Sequence, residues 1–459
     1  MGAQDMTPPA SGTATPTAKS LTKAGIEHNL ASNAQTAHLD ASKLKINKTS
    51  APRDPPAAGS EELKRMRTCT DHMLTARWTL EDGWEAPEIK AYGPLSIMPT
   101  ASVLHYATEC FEGYVCEGTA MYLLPQKKHA NHTLYFRLKL YHGEDGKLRL
   151  FRVRRNCERL RRSAARISLP DFPADQLEIL IKKLCALDGP KWLPNKGGFL
   201  YLRPTFIGTD PGLGVQVPKE ALLYVIIAVF PDWSDPRNLP APSAVNPDLS
   251  EAVTKAQGLK LLASKEDSIR AWPGGFGYAK LGANYGPSLV GQGEARARGY
   301  DQILWLFGNN ASVTEAGASN FFVVWKTKEG QQQLITAPLE DNLILEGVTR
   351  ASVLQIAQER LSTENASKYD VESLEVIERK FTMQEILDAY EDGRLIEAFA
   401  AGTAFFVAPV GLIGWKQHEL EIPLAEGKTG IYAKLVRSWL SDIMYGNEQH
   451  EWGIVVDEA

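Results

Sequence analysis

Hydrophobic and polar positions first fall into register near Thr70-Asp71-His72-Met73-Leu74, where apolar and polar residues begin to alternate as on a strand. From Arg155 to Ile167, the residues Cys157, Leu160, Ala164 and Ile167 recur at three-to-four spacing with basic residues on the other face. That spacing predicts an amphipathic helix, ended by Pro170. Ala221 to Phe230 is an unbroken β-favouring apolar run bounded by Pro231, the pattern of a strand covered on both faces. Further on, the pattern predicts a helix near Pro287 to Arg298, strands at Gln302 to Phe307 and Phe321 to Trp325, and a helix after Gly347. Helices and strands mix without a fixed repeat, so the fold class expected is α/β or α+β.

A chain of 459 residues exceeds one ordinary core. Prolines, serines and polar residues gather without period from Trp233 to about Asn246, as in a linker. The expected organisation is a disordered tail over 1–60, a small α/β domain over 61–233, a linker over 234–250 and a larger domain over 251–459. Residues 115–141 have no clean period and read as an insertion of roughly 24 residues, against the usual two-to-five-residue hairpin loop; a retained intron would account for it. His129 and His132 within it resemble a metal pair, but no nearby acid or cysteine completes a set, so no metal is expected.

Composition narrows the function classes. The chain is 44% hydrophobic and 23% charged with a net charge of −5, and no apolar run approaches the roughly 20 residues that span a bilayer. Neither nucleic acid nor membrane is expected as a partner; a small-molecule enzyme is. The five cysteines are scattered without a CxxC pair, which argues against a disulfide framework or a zinc site and for a reducing compartment. Arg53 is the first arginine of an Ala-, Ser-, Thr- and Pro-rich leader without amphipathic spacing, so cytoplasm is expected, with the mitochondrion as the alternative.

The stretch Ala271-Trp272-Pro273-Gly274-Gly275-Phe276-Gly277-Tyr278-Ala279-Lys280-Leu281-Gly282 sets one lysine among glycines and aromatics. It fails as a dinucleotide fingerprint, because Lys280 stands where the third glycine belongs. The ordinary reading is a solvated turn lysine. In an apolar, close-packed setting, however, lysine loses hydration and its free amine becomes a nucleophile toward an aldehyde, as a Schiff-base lysine must. Downstream, Glu315 stands on the small-residue turn Thr314-Glu315-Ala316-Gly317, directly before an apolar strand. It is either a plain turn acid or a carboxylate facing a pyridine nitrogen, which it would keep protonated.

The lysine stretch, Thr314-Glu315-Ala316-Gly317, Leu345-Glu346-Gly347-Val348-Thr349-Arg350 and Ala401-Gly402-Thr403-Ala404 follow one another in this order. In these motifs the chain resembles the branched-chain amino acid aminotransferases, from Thr70 to Tyr445-Gly446, leaving out the tail and the insertion. The resemblance implies fold type IV: a smaller and a larger α/β domain with pyridoxal 5′-phosphate between them, normally in a homodimer. It implies that Lys280 carries the cofactor as a Schiff base and moves the Cα proton, with Glu315 at the pyridine nitrogen and Tyr285 at the ring hydroxyl. Arg152, the helix start at Val348 and Thr349, and Thr403 would hold the phosphate. Tyr201 and Arg203 would hold substrate, Thr403 and Ala404 its α-carboxylate, and Tyr106 and Phe111 would line the pocket. The implied substrates are leucine, isoleucine and valine with 2-oxoglutarate.

Ala316, Ala318 and Ser319 are smaller than the family's usual Val-Gly-Thr-Met-Asn after the acid, which would widen the pocket toward larger apolar or aromatic amino acids. The CxxC of the animal enzymes is replaced by Phe405 to Ala408, so no thiol switch is expected there. Rival readings are a D-amino acid aminotransferase or aminodeoxychorismate lyase on the same fold, and a non-catalytic protein that binds pyridoxal phosphate.

Overall fold

The computed structural model describes residues 37–113, 139–194, 199–231, 257–402, 406–425 and 429–457. The first sheet is built on β1 (Cys69–Thr79), β2 (Glu88–Ala91), β3 (Glu109–Phe111), β4 (Lys139–His142), β5 (Leu148–Phe151), β6 (Phe199–Gly208) and β7 (Glu220–Phe230). Between these strands lie α1 (Ser102–Tyr106), α2 (Val153–Arg166) and α3 (Ala174–Trp192). The apolar run expected as a covered strand is β7, which lies between β1 and β6, antiparallel to both. The expected helix is α2; it starts at Val153, and Val153, Cys157, Leu160 and Ala164 pack with α3 beneath the sheet.

The second sheet uses β8 (Leu259–Ala263), β9 (Gln302–Phe307), β10 (Ser312–Ala316), β11 (Ser319–Lys326), β12 (Gln332–Thr336), β13 (Glu375–Glu378), β14 (Leu395–Gly402), β15 (Phe406–Trp415) and β16 (His418–Glu421). Around it lie α4 (Ser288–Ala297), α5 (Val348–Arg360), α6 (Met383–Glu391) and α7 (Ile431–Tyr445). Strand order runs β10-β9-β8-β15-β14-β11, and the pairs Glu315↔Asn320 and Ala316↔Ser319 join β10 to β11, closing the six strands into a ring. This closure puts Glu315 at a tight turn where the ring meets α5. The last strand, β17 (Gly453–Val456), returns to the first sheet and pairs with β5, so the C-terminus crosses the division expected from linear order.

Two sequence expectations are corrected here. Residues 37–60, read as tail, lie against the first sheet: Leu39 is buried in its core, the Thr49 N–H donates to His72 Nε2 at 3.0 Å, and the Arg53 guanidinium donates to the carbonyls of Cys69 and Thr70. Polar side chains of β1 hold this arm, which its own composition does not reveal. Residues 139–141, placed in the insertion, belong to β4, where Leu140 is buried and Tyr141 pairs with Phe199. The rest of the insertion, with His129 and His132, lies outside the described residues, as does the expected linker over 234–250.

Candidate active site

Lys280 lies where the two sheets meet. Its carbonyl accepts from the Phe111 N–H of β3 at 3.2 Å, and its N–H donates to Ser163 Oγ of α2 at 2.8 Å. The segment before it turns tightly: a Cβ on Gly277 would meet the Leu343 carbonyl oxygen at 2.7 Å, a close approach open only to glycine. Asn284 Nδ2 fastens the turn by donating to the carbonyls of Phe276 and Ala279. The result is a lysine only 2% exposed, with Nζ donating to Tyr285 Oη at 3.1 Å and standing 5.0 Å from the Phe111 ring centroid. Burial, then the nearby Arg159 cation, pull its pKa down to about 7. Burial likewise raises the Tyr285 phenol well above its ordinary range.

Glu315, 1% exposed on β10, accepts from the Leu345 N–H at 3.3 Å and forms an ion pair with Arg270. Burial raises its pKa, and Arg270 opposes the rise. Asn320 Nδ2 sits 3.4 Å from its Oε1 and donates to the Leu345 carbonyl at 2.9 Å, tying the acid to the approach to α5.

Arg152 holds the N-cap position of α2 with φ 47°, the left-handed region, so its side chain leaves the helix line toward the second sheet. Its Nη1 donates to Ser352 Oγ at 2.9 Å and Gln355 Oε1 at 2.7 Å, both on α5, and its guanidinium lies 4.1 Å from the Trp452 ring centroid. These acceptors are neutral. Burial lowers its pKa to about 10, with the neighbouring Arg155 cation adding to the effect. The N-cap of α5, Gly347, makes no side-chain cap, and a Cβ there would fall 2.2 Å from Asn320 Oδ1. An uncapped helix start over Val348 and Thr349, beside a cation bonded to neutral acceptors, suits a phosphate dianion.

Tyr201 and Arg203 share one face of β6, as alternation requires. Arg203 Nε and Nη2 donate to Tyr201 Oη at 2.9 and 2.6 Å, and the guanidinium lies 4.9 Å from the Phe111 ring centroid. Phe111 in turn packs 5.4 Å from the Tyr285 ring. Tyr106, at the end of α1, donates its hydroxyl to the Leu213 carbonyl on the β6–β7 loop. Thr403 and Ala404 lie outside the described residues.

Sequence reasoning passed over three groups. Arg270 pairs with Glu315. Arg159 of α2 forms a two-pronged buried ion pair with Glu112 at 2.8 and 2.7 Å, and its Nη1 reaches the Glu346 carbonyl at 3.1 Å. Ser352 and Gln355 carry Arg152. A signal for Arg159 was present: Asn156, Arg159 and Ser163 repeat at helical spacing, and all three are buried, forming a polar stripe beside the apolar one.

The model of the class IV amino-transferase family matches residues 133–413. The cytosolic branched-chain-amino-acid aminotransferase of Saccharomyces cerevisiae is 42% identical over 92% of this chain and 99% of that protein. The mitochondrial enzyme of the same name from Schizosaccharomyces pombe is 40% identical over 91% of this chain and 85% of its own length. Among solved structures, the branched-chain amino acid aminotransferase of Escherichia coli superposes with a TM-score of 0.56 at 23% identity, covering 81% of this chain and 97% of that one. The pyridoxal-phosphate form of the Thermobaculum terrenum enzyme does so at 0.54 and 20% identity, covering 83% and 98%. These last two likenesses bear on the fold, which is that of the two-sheet class IV enzymes. With the family model spanning more than half of it and close relatives spanning nearly all of it, this chain belongs to the branched-chain-amino-acid aminotransferases of class IV.

Proposed function

We propose that this protein transfers the amino group of L-leucine, L-isoleucine or L-valine to 2-oxoglutarate, yielding the branched-chain 2-oxo acid and L-glutamate with pyridoxal 5′-phosphate as cofactor. One observation carries the assignment of roles: a buried lysine with a depressed pKa lies close enough to the buried Glu315 for its charge to lower that acid's pKa, and α2 ties the lysine, through Ser163, to Arg152 and the uncapped start of α5. When bound, the cofactor supplies a carbonyl for the lysine amine and a ring that accepts the electron pair left at the substrate Cα.

The chain's own groups do the rest. Arg152, Val348 and Thr349 would anchor the phosphate, with Thr403 as a further contact. Glu315, its charge favoured by Arg270, would keep the pyridine nitrogen protonated, and Tyr285 would hold the ring hydroxyl. Lys280, its pKa lowered to about 7 by burial and its Nζ held by the Tyr285 hydroxyl at 3.1 Å, would act as the neutral amine that takes the proton from the substrate Cα. Phe111 offers an apolar wall to an aliphatic side chain, Tyr106 a second aromatic, and Arg203 with Tyr201 a partner for the side-chain carboxylate of glutamate. Thr403 and Ala404 would take the α-carboxylate through backbone N–H groups.

A homodimer is part of this reading, supported by exposed Leu213, Val215 and Val217 on the loop that Tyr106 touches; light scattering would test it. So is a division into a small domain ending near 233 and a larger one beginning near 251. The test of function is an absorbance spectrum. L-leucine should bleach the yellow band of the holoenzyme and 2-oxoglutarate should restore it, with L-phenylalanine and D-alanine weaker. A colourless protein, or a band indifferent to L-leucine, would overturn the proposal.

A further inference from the structure

The pocket proposed above must take both an aliphatic side chain and a carboxylate, and Arg203 is the group for which these demands conflict. With a leucine side chain beside it, a half-buried guanidinium loses water and gains no partner, which is costly. Tyr201 Oη accepts two of its hydrogen bonds but brings no charge. A counter-charge stands nearby. Glu109 and Phe111 alternate on β3, and the pairs Phe111↔Thr205 and Glu109↔Ile207 put both on the face of the sheet that also carries Arg203 and Thr205. Arg203 lies over the Phe111 ring, and Glu109 is the next residue on that face.

The Glu109 carboxylate rests on the lysine loop. A Cβ on Gly282, two residues after Lys280, would fall 2.1 Å from Glu109 Oε1, so a side chain there would displace this acid. Burial raises the Glu109 pKa, and the positive charge of Arg203 opposes that rise, so the two groups interact electrostatically across Phe111. Nothing in the roles assigned to Lys280, Glu315 or Arg152 uses this carboxylate.

We propose that Glu109 is a specificity-determining residue: it supplies the counter-charge to Arg203 when an aliphatic side chain is bound, and it competes with the side-chain carboxylate of glutamate or 2-oxoglutarate for the same guanidinium. Glu109 therefore favours branched-chain substrates and weakens acidic ones. This rests on the reading of Arg203 as the side-chain partner.

The experiment is steady-state kinetics of the holoenzyme and its Glu109→Gln variant with both L-leucine and 2-oxoglutarate. The amide keeps the size and removes the charge. The KM for 2-oxoglutarate should fall about tenfold, the equivalent of about 1.4 kcal/mol, while the KM for L-leucine rises. Opposite movement is the signature, because a purely structural role against Gly282 would lower kcat and cofactor retention for both substrates together. Glu109→Asp, which keeps the charge on a shorter stem, should lie between the two and carries the test if the glutamine variant does not retain cofactor. In an Arg203→Ala background, Glu109→Gln should leave the ratio of the two KM values unmoved. Parallel or absent KM changes in an enzyme whose wild type turns over would overturn this inference alone; a wild type without turnover on either substrate would remove the proposed function and the inference with it.

Discussion

Replacing Arg152 with alanine removes the guanidinium that bonds Ser352 Oγ at 2.9 Å and Gln355 Oε1 at 2.7 Å and stacks 4.1 Å from the Trp452 ring centroid. The backbone change is small, since alanine meets the same resistance as arginine at φ 47°. What is lost is the cation facing the start of α5. Removing one partner of a largely buried charge pair costs about 3–5 kcal/mol, and each 1.4 kcal/mol is about tenfold in affinity. Pyridoxal phosphate should therefore bind the apo variant roughly 100- to 4,000-fold more weakly. Arg152→Lys keeps the charge but not the planar guanidinium that stacks on the Trp452 ring, and should lose roughly tenfold. Fluorescence titration of the apo proteins with pyridoxal phosphate measures both, and pyridoxal without the phosphate serves as a control whose binding the substitutions should leave nearly alone. An alanine variant within threefold of wild type would refute the assignment of the phosphate to this corner.

Four further outcomes are expected. Glu315→Gln should lower kcat by about 100-fold in transamination of L-leucine while the variant still binds cofactor, because the amide cannot hold the pyridine nitrogen protonated; rescue by a cofactor analogue with an alkylated ring nitrogen would locate the defect. The rate at which apo Lys280 condenses with pyridoxal phosphate should rise through about pH 7 and level off, whereas an ordinary lysine would climb to pH 10.5. Because the unfolded chain keeps that proton up to 10.5 and the folded chain releases it near 7, this lysine's penalty on apo stability is full below pH 7 and relieved as pH rises toward 10.5, which denaturant midpoints at pH 7 and pH 9 can read, provided other groups are matched with a Lys280→Met control. Finally, β3 and β4 pair with the same edge of β6, at Thr205 and Tyr201, leaving three positions of β6 between them, and the Glu112 N–H already bonds the Pro204 carbonyl. Glu112, Gly113 and a single further residue would fill that gap, so deleting residues 114–137 should join the two strands and yield a chain that binds cofactor and melts no lower; a deletion variant that aggregates or loses cofactor would show that the segment is needed. Mass spectrometry of the native protein, searched for a peptide joining Gly113 directly to Leu138, would show whether the cell makes that shorter chain.

Much of the site was legible because its parts are local. The turn before Lys280, the acid at the end of β10 and the start of α5 are each written in a few consecutive residues, and the alternation that puts Tyr201 and Arg203 on one face needs only the period of a strand. The elements β7, α2, β9 and α5 followed for the same reason. Distance along the chain hid the rest. Glu112 and Arg159 are 47 residues apart, Arg152 and Ser352 are 200 apart, and Arg270 reaches Glu315 through the closure of a six-strand ring that no local pattern announces.

The chain's early residues were misjudged by the same rule, since Leu39 and Arg53 are held by β1 and α3 and not by any amphipathic pattern of their own. By itself the sequence, through motifs that resemble the family's, nominated one lysine, one acid and one helix start for a phosphorylated aldehyde cofactor, because such motifs are written in residue type and short spacing. Tertiary structure alone decided that the lysine is dry enough to lose its proton near neutrality and that Glu109 shares a sheet face with Arg203, because burial and charge separation depend on strand register and on how the two sheets meet.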